Sequence, residues 1–298
     1  MSRQAKTEAL SMVPAIEHGQ VFSGNSDMAP KLFAELSAYI QQTAGIRMPP
    51  EKRVMLQARL QKRMRKLGYT SYESYVRYVF SAEGTRLELQ SMIDAVTTNK
   101  TDFFREPYHF EYLQQHGLPA LVRRFGSRLR FWSAPCSKGH EVYTLAMVLA
   151  EYAQTHPGFD FEILGSDLSG AAIDVAHRAV YPHREIEPVP MALRRKYLMR
   201  SKDPKDDQVR IVPELRRTTH YKHMNFMDDR YQVGVKFHAI FCRNMLIYFD
   251  PATQEQVVNR LASHLHPGGL FLTGHAESLG RIRTPLLHLE PTIYQLPE

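Results

Sequence analysis

Between residues 27 and 96 the apolar positions recur at helical spacing. Leu32, Leu36, Tyr39 and Ile40 make one stripe, and Leu56, Leu60, Met64 and Leu67 make a second, closed by Gly68 at a C-terminal cap position. Thr70 and Glu73 have capping-box spacing ahead of a third stripe of Tyr72, Tyr75, Val76 and Val79. Leu89, Met92, Ile93 and Val96 finish a fourth. The pattern predicts a small all-helical domain over residues 27–96. Residues 1–26 have no period and read as a flexible arm.

Beyond residue 96 the texture changes. LRFWSA (129–134), FEILGSD (161–167), FHAIFCRN (237–244) and GLFLTGH (269–275) are short apolar runs, separated by helical stretches such as Glu141–Ala153 and Pro251–Leu265. Strands alternating with helices predict a parallel sheet covered on both faces. Gln208–Phe226 alternates without a helical stretch inside it, which predicts a small antiparallel β element set into the α/β domain at about 200–226. The expected organisation is therefore a helical domain, a linker over 97–128, and an α/β domain over 129–298.

Composition narrows this picture only slightly. With 43% hydrophobic and 23% charged residues the chain is an ordinary globular one. No apolar run approaches the roughly 20 residues of a membrane helix, and the first residues show no signal-peptide pattern. Cys136 and Cys242, the two cysteines, do not form a C-x-x-C pair, so the cytoplasm is the expected compartment. A net charge of +7 admits a nucleic acid, an anionic membrane or an acidic protein as partner.

Candidate chemistry lies at the strand ends, where open α/β sheets bind ligands. APCSKGHE after the first strand offers small residues and one glycine opening a helix. Asp167 ends the second strand; an acid there accepts ribose hydroxyls or merely caps the helix starting near Ser169. LHPGGLFLTG sets a Pro-Gly-Gly turn before a late strand, as is common in Rossmann-like methyltransferases, and no G-x-G-x-x-G is present. S-adenosylmethionine is therefore favoured over NAD. TTNKTDFFREP (97–107) mixes hydrogen-bonding groups with Phe103 and Phe104 and has neither a helical nor a strand period.

Five segments occur together and in order: TTNKTDFFRE, SAPCSKGHEVYTLAM, ILGSDLS, AIFCRNMLIYFD and HPGGLFLTGHAES. Together they resemble the CheR family of chemotaxis receptor methyltransferases, from roughly residue 28 to residue 295. The resemblance implies a Rossmann-like methyltransferase domain with an inserted antiparallel β-subdomain, preceded by an all-helical domain. It implies methyl transfer from S-adenosyl-L-methionine to glutamate side chains of methyl-accepting chemoreceptors, leaving S-adenosyl-L-homocysteine. It places Asn99, Thr101, Arg105, Glu141, Asp167, Asn225, Phe226, Arg243 and Asn244 around the cofactor, with Arg105 and Tyr248 near the reacting groups. No metal enters this scheme. A glutamate with a reference pKa of about 4.3 is already an ionised nucleophile at neutral pH, so neither general base nor general acid is needed. Phe103 and Phe104 are expected to wedge the linker motif between the domains and exclude water.

Taken alone, Tyr248 is also a plausible core aromatic, and Arg105 a loop clasp with Glu106 or Asp102. His140 stands where the family usually has a glutamate. RSKDPKDDQVR (200–210) has no glycine, unlike the loop with which receptor-tethered members grip a tail peptide, so no tail dependence is expected. EKRVMLQARLQKRMRKLG (51–68) holds seven basic residues against one acid. Lys52, Arg59, Arg63 and Lys66 form a strip read as a dock for acidic receptor helices, against the plainer reading of a solvated face. A monomer is expected, with no nucleic-acid partner, since the aromatic and basic pattern of a single-strand groove is missing. The alternatives are a non-catalytic S-adenosylmethionine binder and a methyltransferase of a chemosensory-like pathway unrelated to motility.

Overall fold

The computed structural model describes residues 27–203 and 205–298, so the arm expected at 1–26 lies outside the described residues. The chain divides into a helical unit, residues 27–98 with Asn225–Asp229, and an α/β unit, Asn99–Met224 with Arg230–Glu298.

The helical unit contains α1 (Pro30–Ala44), α2 (Arg53–Leu67), α3 (Tyr72–Val79), α4 (Ala82–Leu87) and α5 (Leu89–Val96). Phe33, Leu36 and Ile40 of α1 share its core with Leu56, Leu60 and Met64 of α2. Phe33 thus takes the place expected of Leu32, and Leu67 is exposed because the chain turns at Gly68 (φ 76°). The cap of α3 is Ser71 rather than Thr70: in extended backbone, its Oγ accepts the Ser74 N–H at 3.1 Å. Inside the unit, Arg63 forks onto both carboxylate oxygens of buried Glu88 (2.8 and 2.5 Å), which also accepts the Tyr75 hydroxyl at 2.8 Å. That cluster keeps Glu88, which is 3% exposed, from being a bare charge in the core.

The α/β unit is built on a seven-stranded sheet. Its strands are β1 (Arg128–Ser133), β2 (Asp160–Asp167), β6 (Thr219–His223), β7 (Phe237–Cys242), β8 (Leu265–Thr273), β9 (Leu287–Glu290) and β10 (Ile293–Gln295), in the order β6-β2-β1-β7-β8-β10-β9. The first five run parallel; β10 and β9 add an antiparallel edge. Every residue of β7 is buried, His238 included, as befits a central strand of mainly apolar residues. After β1 comes α8 (His140–Thr155), whose buried residues include Val142, Leu145, Met147 and Leu149. Earlier come α6 (Tyr108–Tyr112) and α7 (Leu118–Phe125), joined by a wider π-type turn at Leu113–Gly117.

A separate three-stranded antiparallel sheet joins β3 (Val180–Pro182), β5 (Gln208–Ile211) and β4 (Leu198–Arg200). The expected small β element is present, but its membership differs from the expectation. Thr219–His223 runs parallel to β2 at the edge of the main sheet, after a short helix begun by Pro213 (Pro213–Arg217) resets the chain direction. The Pro-Gly-Gly stretch lies within β8, where the β7–β8 register shifts, rather than before it. The β9–β10 hairpin escaped the sequence because its strands are only four and three residues long. Both cysteines are buried free thiols. Among the described residues no helix is long and apolar enough to cross a membrane.

His238 of β7 tests how this core responds to pH. Its Nδ1 accepts the Arg130 backbone N–H at 2.8 Å, and its ring stacks on His266. Burial, with the neighbouring His266, pushes its pKa down to about 4. Unfolded histidine titrates near ~6.5, so between the two values the unfolded chain binds the extra proton. Stability is therefore complete above about pH 6.5 and declines toward about pH 4. Thermal unfolding at stepped pH should show a shallower decline for His238→Gln, which keeps an acceptor for Arg130.

Candidate active site

The turn after β1 is shaped by a position that only glycine fits. Gly139 has φ 88°, and a Cβ there would meet the Ala176 Cβ at 2.8 Å, so the chain turns into α8 against bare backbone. Two residues earlier, the Ser137 N–H donates to Asp167 Oδ2 at 2.7 Å, while the Ser169 N–H donates to Oδ1 at 2.8 Å. Asp167 is thus oriented at the end of β2 by two backbone donors. Ser169 itself caps the following helix, Gly170–Arg178, through the Ala172 N–H. The alternative reading of Asp167 as the cap is thereby removed. The Ser137 hydroxyl is buried beside this carboxylate with no partner among the described residues. A glycine-made cradle, a fixed acid and a spare hydroxyl suit an adenosine ribose.

Arg243, at the end of β7 and 4% exposed, joins three segments. Its Nη1 donates to Glu141 Oε2 at 2.8 Å; its Nη2 donates to the Arg105 carbonyl at 2.5 Å and to Glu106 Oε2 at 3.0 Å. The guanidinium also lies over the Phe110 ring at 5.4 Å. Glu141 takes a second bond from the Ser133 hydroxyl at 2.7 Å. Burial raises the Glu141 carboxyl above its ordinary value, and Arg243 offsets this only in part. For Glu106 burial acts in the same direction, but Arg243 and Asn244 outweigh it and hold that carboxyl low. Asn244, in the left-handed region (φ 59°), donates from Nδ2 to Glu106 Oε1 at 3.1 Å. Its backbone N–H, with those of Gly274 and Ile247, donates to buried Glu277. A Cβ on Gly274 would come within 2.6 Å of the Asn244 amide, so this close approach also requires glycine.

The motif at 99–107 threads past this cluster. Phe103 is buried against His140 and Tyr181, with ring centroids 4.6 and 5.2 Å away. It belongs to the core of the α/β unit, which corrects the expected wedge between domains. Phe104, at φ 52°, donates its N–H to the Thr144 hydroxyl at 3.1 Å, and that hydroxyl donates to the His140 carbonyl at 2.8 Å. Glu106 is again left-handed (φ 55°). Between them the half-buried Arg105 turns its carbonyl to Arg243 and its side chain to the Lys100 carbonyl (3.2 Å). The loop clasp with Glu106 or Asp102 is not what forms, because Glu106 is engaged by Arg243. His140, 1% exposed, meets Glu185 at 3.0 Å.

The structure therefore brings Arg105, Glu141, Arg243 and Asn244 together, with Asp167 tied to the β1–α8 turn. Asn99 and Thr101 are half-buried in the same motif, and Tyr248 is half-buried in the single turn Leu246–Tyr248. Asn225 and Phe226 fall in the helical unit, where the Asn225 amide donates to the Thr43 carbonyl at 2.7 Å. Of the docking strip, Arg59 donates to the Val96 and Thr97 carbonyls and to Thr98 Oγ1, and Arg63 is held by Glu88. That corrects the strip: these two guanidiniums hold the helical unit together, while Lys66 with Lys62 and Arg65 remains exposed and Lys52 half-exposed. Sequence reasoning passed over Ser133 and Glu277, and named Glu106 only as a clasp partner for Arg105. A run of Glu, Pro and Tyr after Arg105 gave no sign that Glu106 would meet a residue 137 positions later.

Residues 99–294 match the family described as CheR methyltransferase, SAM binding domain, and residues 31–97 match CheR methyltransferase, all-alpha domain. A chemotaxis protein methyltransferase of Borreliella burgdorferi is 31% identical over 279 residues, covering 92% of this chain and 97% of that protein. One from Escherichia coli K12 is 35% identical over 264 residues, covering 89% and 90%. Chemotaxis protein methyltransferase 2 of Pseudomonas aeruginosa is 32% identical over 264 residues, covering 88% and 91%.

Replacing Arg243 by lysine tests the cluster directly. An ammonium cannot fork to Glu141, Glu106 and the Arg105 carbonyl at once. Arg243→Lys should cost about 3 kcal/mol of stability, read from urea unfolding, by leaving buried carboxylates incompletely paired.

Proposed function

This chain belongs to the CheR methyltransferase family, and from that footing we propose how its residues carry the family's reaction. The enzyme is a protein-glutamate O-methyltransferase that uses S-adenosylmethionine, of the kind that acts on chemoreceptors. The observation that most supports our assignment of residues is the Arg243 cluster, which fixes Glu141 and the Arg105 backbone at the ligand edge of the sheet.

Asp167 holds the ribose, its carboxylate oriented by the Ser137 and Ser169 N–H groups and the Ser137 hydroxyl beside it. Glu141 meets the methionine end, its charge partly offset by Arg243. Asn99, Thr101 and Asn244 line the same site within the α/β unit. When bound, S-adenosylmethionine supplies a methyl group on a positively charged sulfur.

The substrate glutamate is ionised at neutral pH, so its oxygen forms the ester bond as the carbon–sulfur bond breaks, with no proton to move. Opposite charges neutralise each other in that step. A strong clamp on the carboxylate would therefore stabilise the ground state more than the transition state. Arg105 and Tyr248, both half-buried, accordingly align the incoming carboxylate rather than stabilise developing charge. Exposed Lys62, Arg65 and Lys66 with Lys52 form the reduced basic face that meets acidic receptor helices. On this reading the enzyme works in the cytoplasm as a monomer.

Incubation with methyl-labelled S-adenosylmethionine and membranes carrying the organism's receptors should place base-labile label on a receptor band. Label that resists base, or none at all, would contradict glutamyl esterification. Arg105→Lys should lower kcat by about 10- to 100-fold, since small misalignment costs that much in an in-line transfer. Unchanged turnover with both KM values intact would remove Arg105 from the reaction.

A further inference from the structure

One buried nitrogen next to the Arg243 cluster has no hydrogen-bond partner. His109 sits on α6 with its side chain fully buried, and its Nδ1 meets no donor or hydroxyl. Its tautomer follows from its other nitrogen. Nε2 lies 2.7 Å from the Thr292 hydroxyl oxygen, and that hydroxyl donates its own proton to the Pro291 carbonyl at 2.6 Å. The hydroxyl oxygen must then accept, so Nε2 carries the hydrogen and Nδ1 presents a lone pair. What Nδ1 faces is another acceptor, Glu106 Oε2, at 3.6 Å. The exposed imidazole of His275 completes the group, its ring 5.3 Å from that of His109. Ligand atoms of Glu106, His109 and His275 all lie within 4.8 Å of one another.

The bonds that this oxygen accepts come from Arg243 Nη2 at 3.0 Å and the His275 backbone N–H at 3.2 Å, so no hydrogen lies between it and Nδ1, and two acceptors facing each other repel unless something positive lies between them. The local charge points the same way: Glu106 and Glu141 share the single guanidinium of Arg243, and Glu277 nearby is held by backbone N–H groups. We propose that Glu106, His109 and His275 bind one divalent transition-metal ion of the zinc class, through His109 Nδ1, a Glu106 carboxylate oxygen and an imidazole nitrogen of His275. Two imidazoles and one carboxylate suit zinc, cobalt or nickel rather than magnesium or calcium, which prefer oxygen.

At bond lengths of about 2.0–2.1 Å, tetrahedral ligand atoms lie about 3.3 Å apart. The present spread closes to that when the exposed His275 side chain swings inward. The ligands are already oriented by their neighbours: Thr292 fixes the His109 tautomer, and Asn244 holds the other Glu106 oxygen at 3.1 Å. Three protein ligands leave the fourth position for water. Methyl transfer needs no metal, so this property is separate from the reaction. The ion and Arg243 compete for one oxygen of Glu106.

Cobalt(II) is the probe, added to the full chain after treatment with chelator. The expected result is saturable binding of one ion per chain, with the visible absorption of a four- or five-coordinate site and displacement by zinc. His275→Ala and His275→Gln, both at an exposed position, should weaken cobalt binding at least about 10-fold with the circular dichroism unchanged. Glu106→Gln should weaken it as well. Magnesium should not displace the probe. Absence of saturable binding at neutral pH would overturn the site. So would equal affinity in both His275 variants, which would assign the ion to other residues.

Discussion

A guanidinium removed from water must find acceptors in the plane of its fork, and Arg243 finds three of them on two separate stretches of chain. That single requirement sets the end of β7 against the start of α8 and against the motif at 99–107. Neither carboxylate could sit there alone, since a bare buried charge is worth several kcal/mol of destabilisation. Around this pairing the neighbours take fixed places: Asn244 reaches Glu106, Glu277 gathers the backbone behind Asn244, and the Phe110 ring lies beneath the cation.

Much of this was legible beforehand, where local pattern and chemistry agreed. The alternation of apolar runs and helical stretches announced the parallel sheet, and the residues at the ends of its strands announced a ligand edge. Asp167 was singled out because strand ends are few and an acid there is conspicuous, whereas Glu141 came from the family resemblance. Glu106 was not found, because its partner is distant in sequence and its own neighbours suggest a local clasp. The docking strip failed at Arg59 and Arg63 for a related reason. Helical spacing tells which side chains share a face, but a long arginine at the margin of a core can fold back onto carbonyls or a buried glutamate. Thr219–His223 was misassigned because alternation marks a strand without naming the sheet it joins.

The balance of charge in the α/β unit is also informative. Burial raises the carboxyls of Glu141 and Glu277, whereas Glu106, in contact with Arg243 and Asn244, stays low. Carboxylates gathered at one edge of a sheet favour a cationic ligand over an anionic one. In a reaction between a sulfonium and a carboxylate, the cofactor then gains from the field and the substrate must be delivered against it.

The two left-handed residues that flank Arg105 separate its main chain from its side chain. The carbonyl is turned inward to Arg243, and the guanidinium is turned away. Scaffold and tool thus occupy one position without depending on each other. Selection can exchange the side chain at 105 while the backbone anchor persists. The site is therefore evolvable at the residue nearest its proposed chemistry, and conservative where only backbone is concerned. A lineage that lost methyl transfer through this position would be expected to keep its fold, and with it the pocket for a nucleoside ligand.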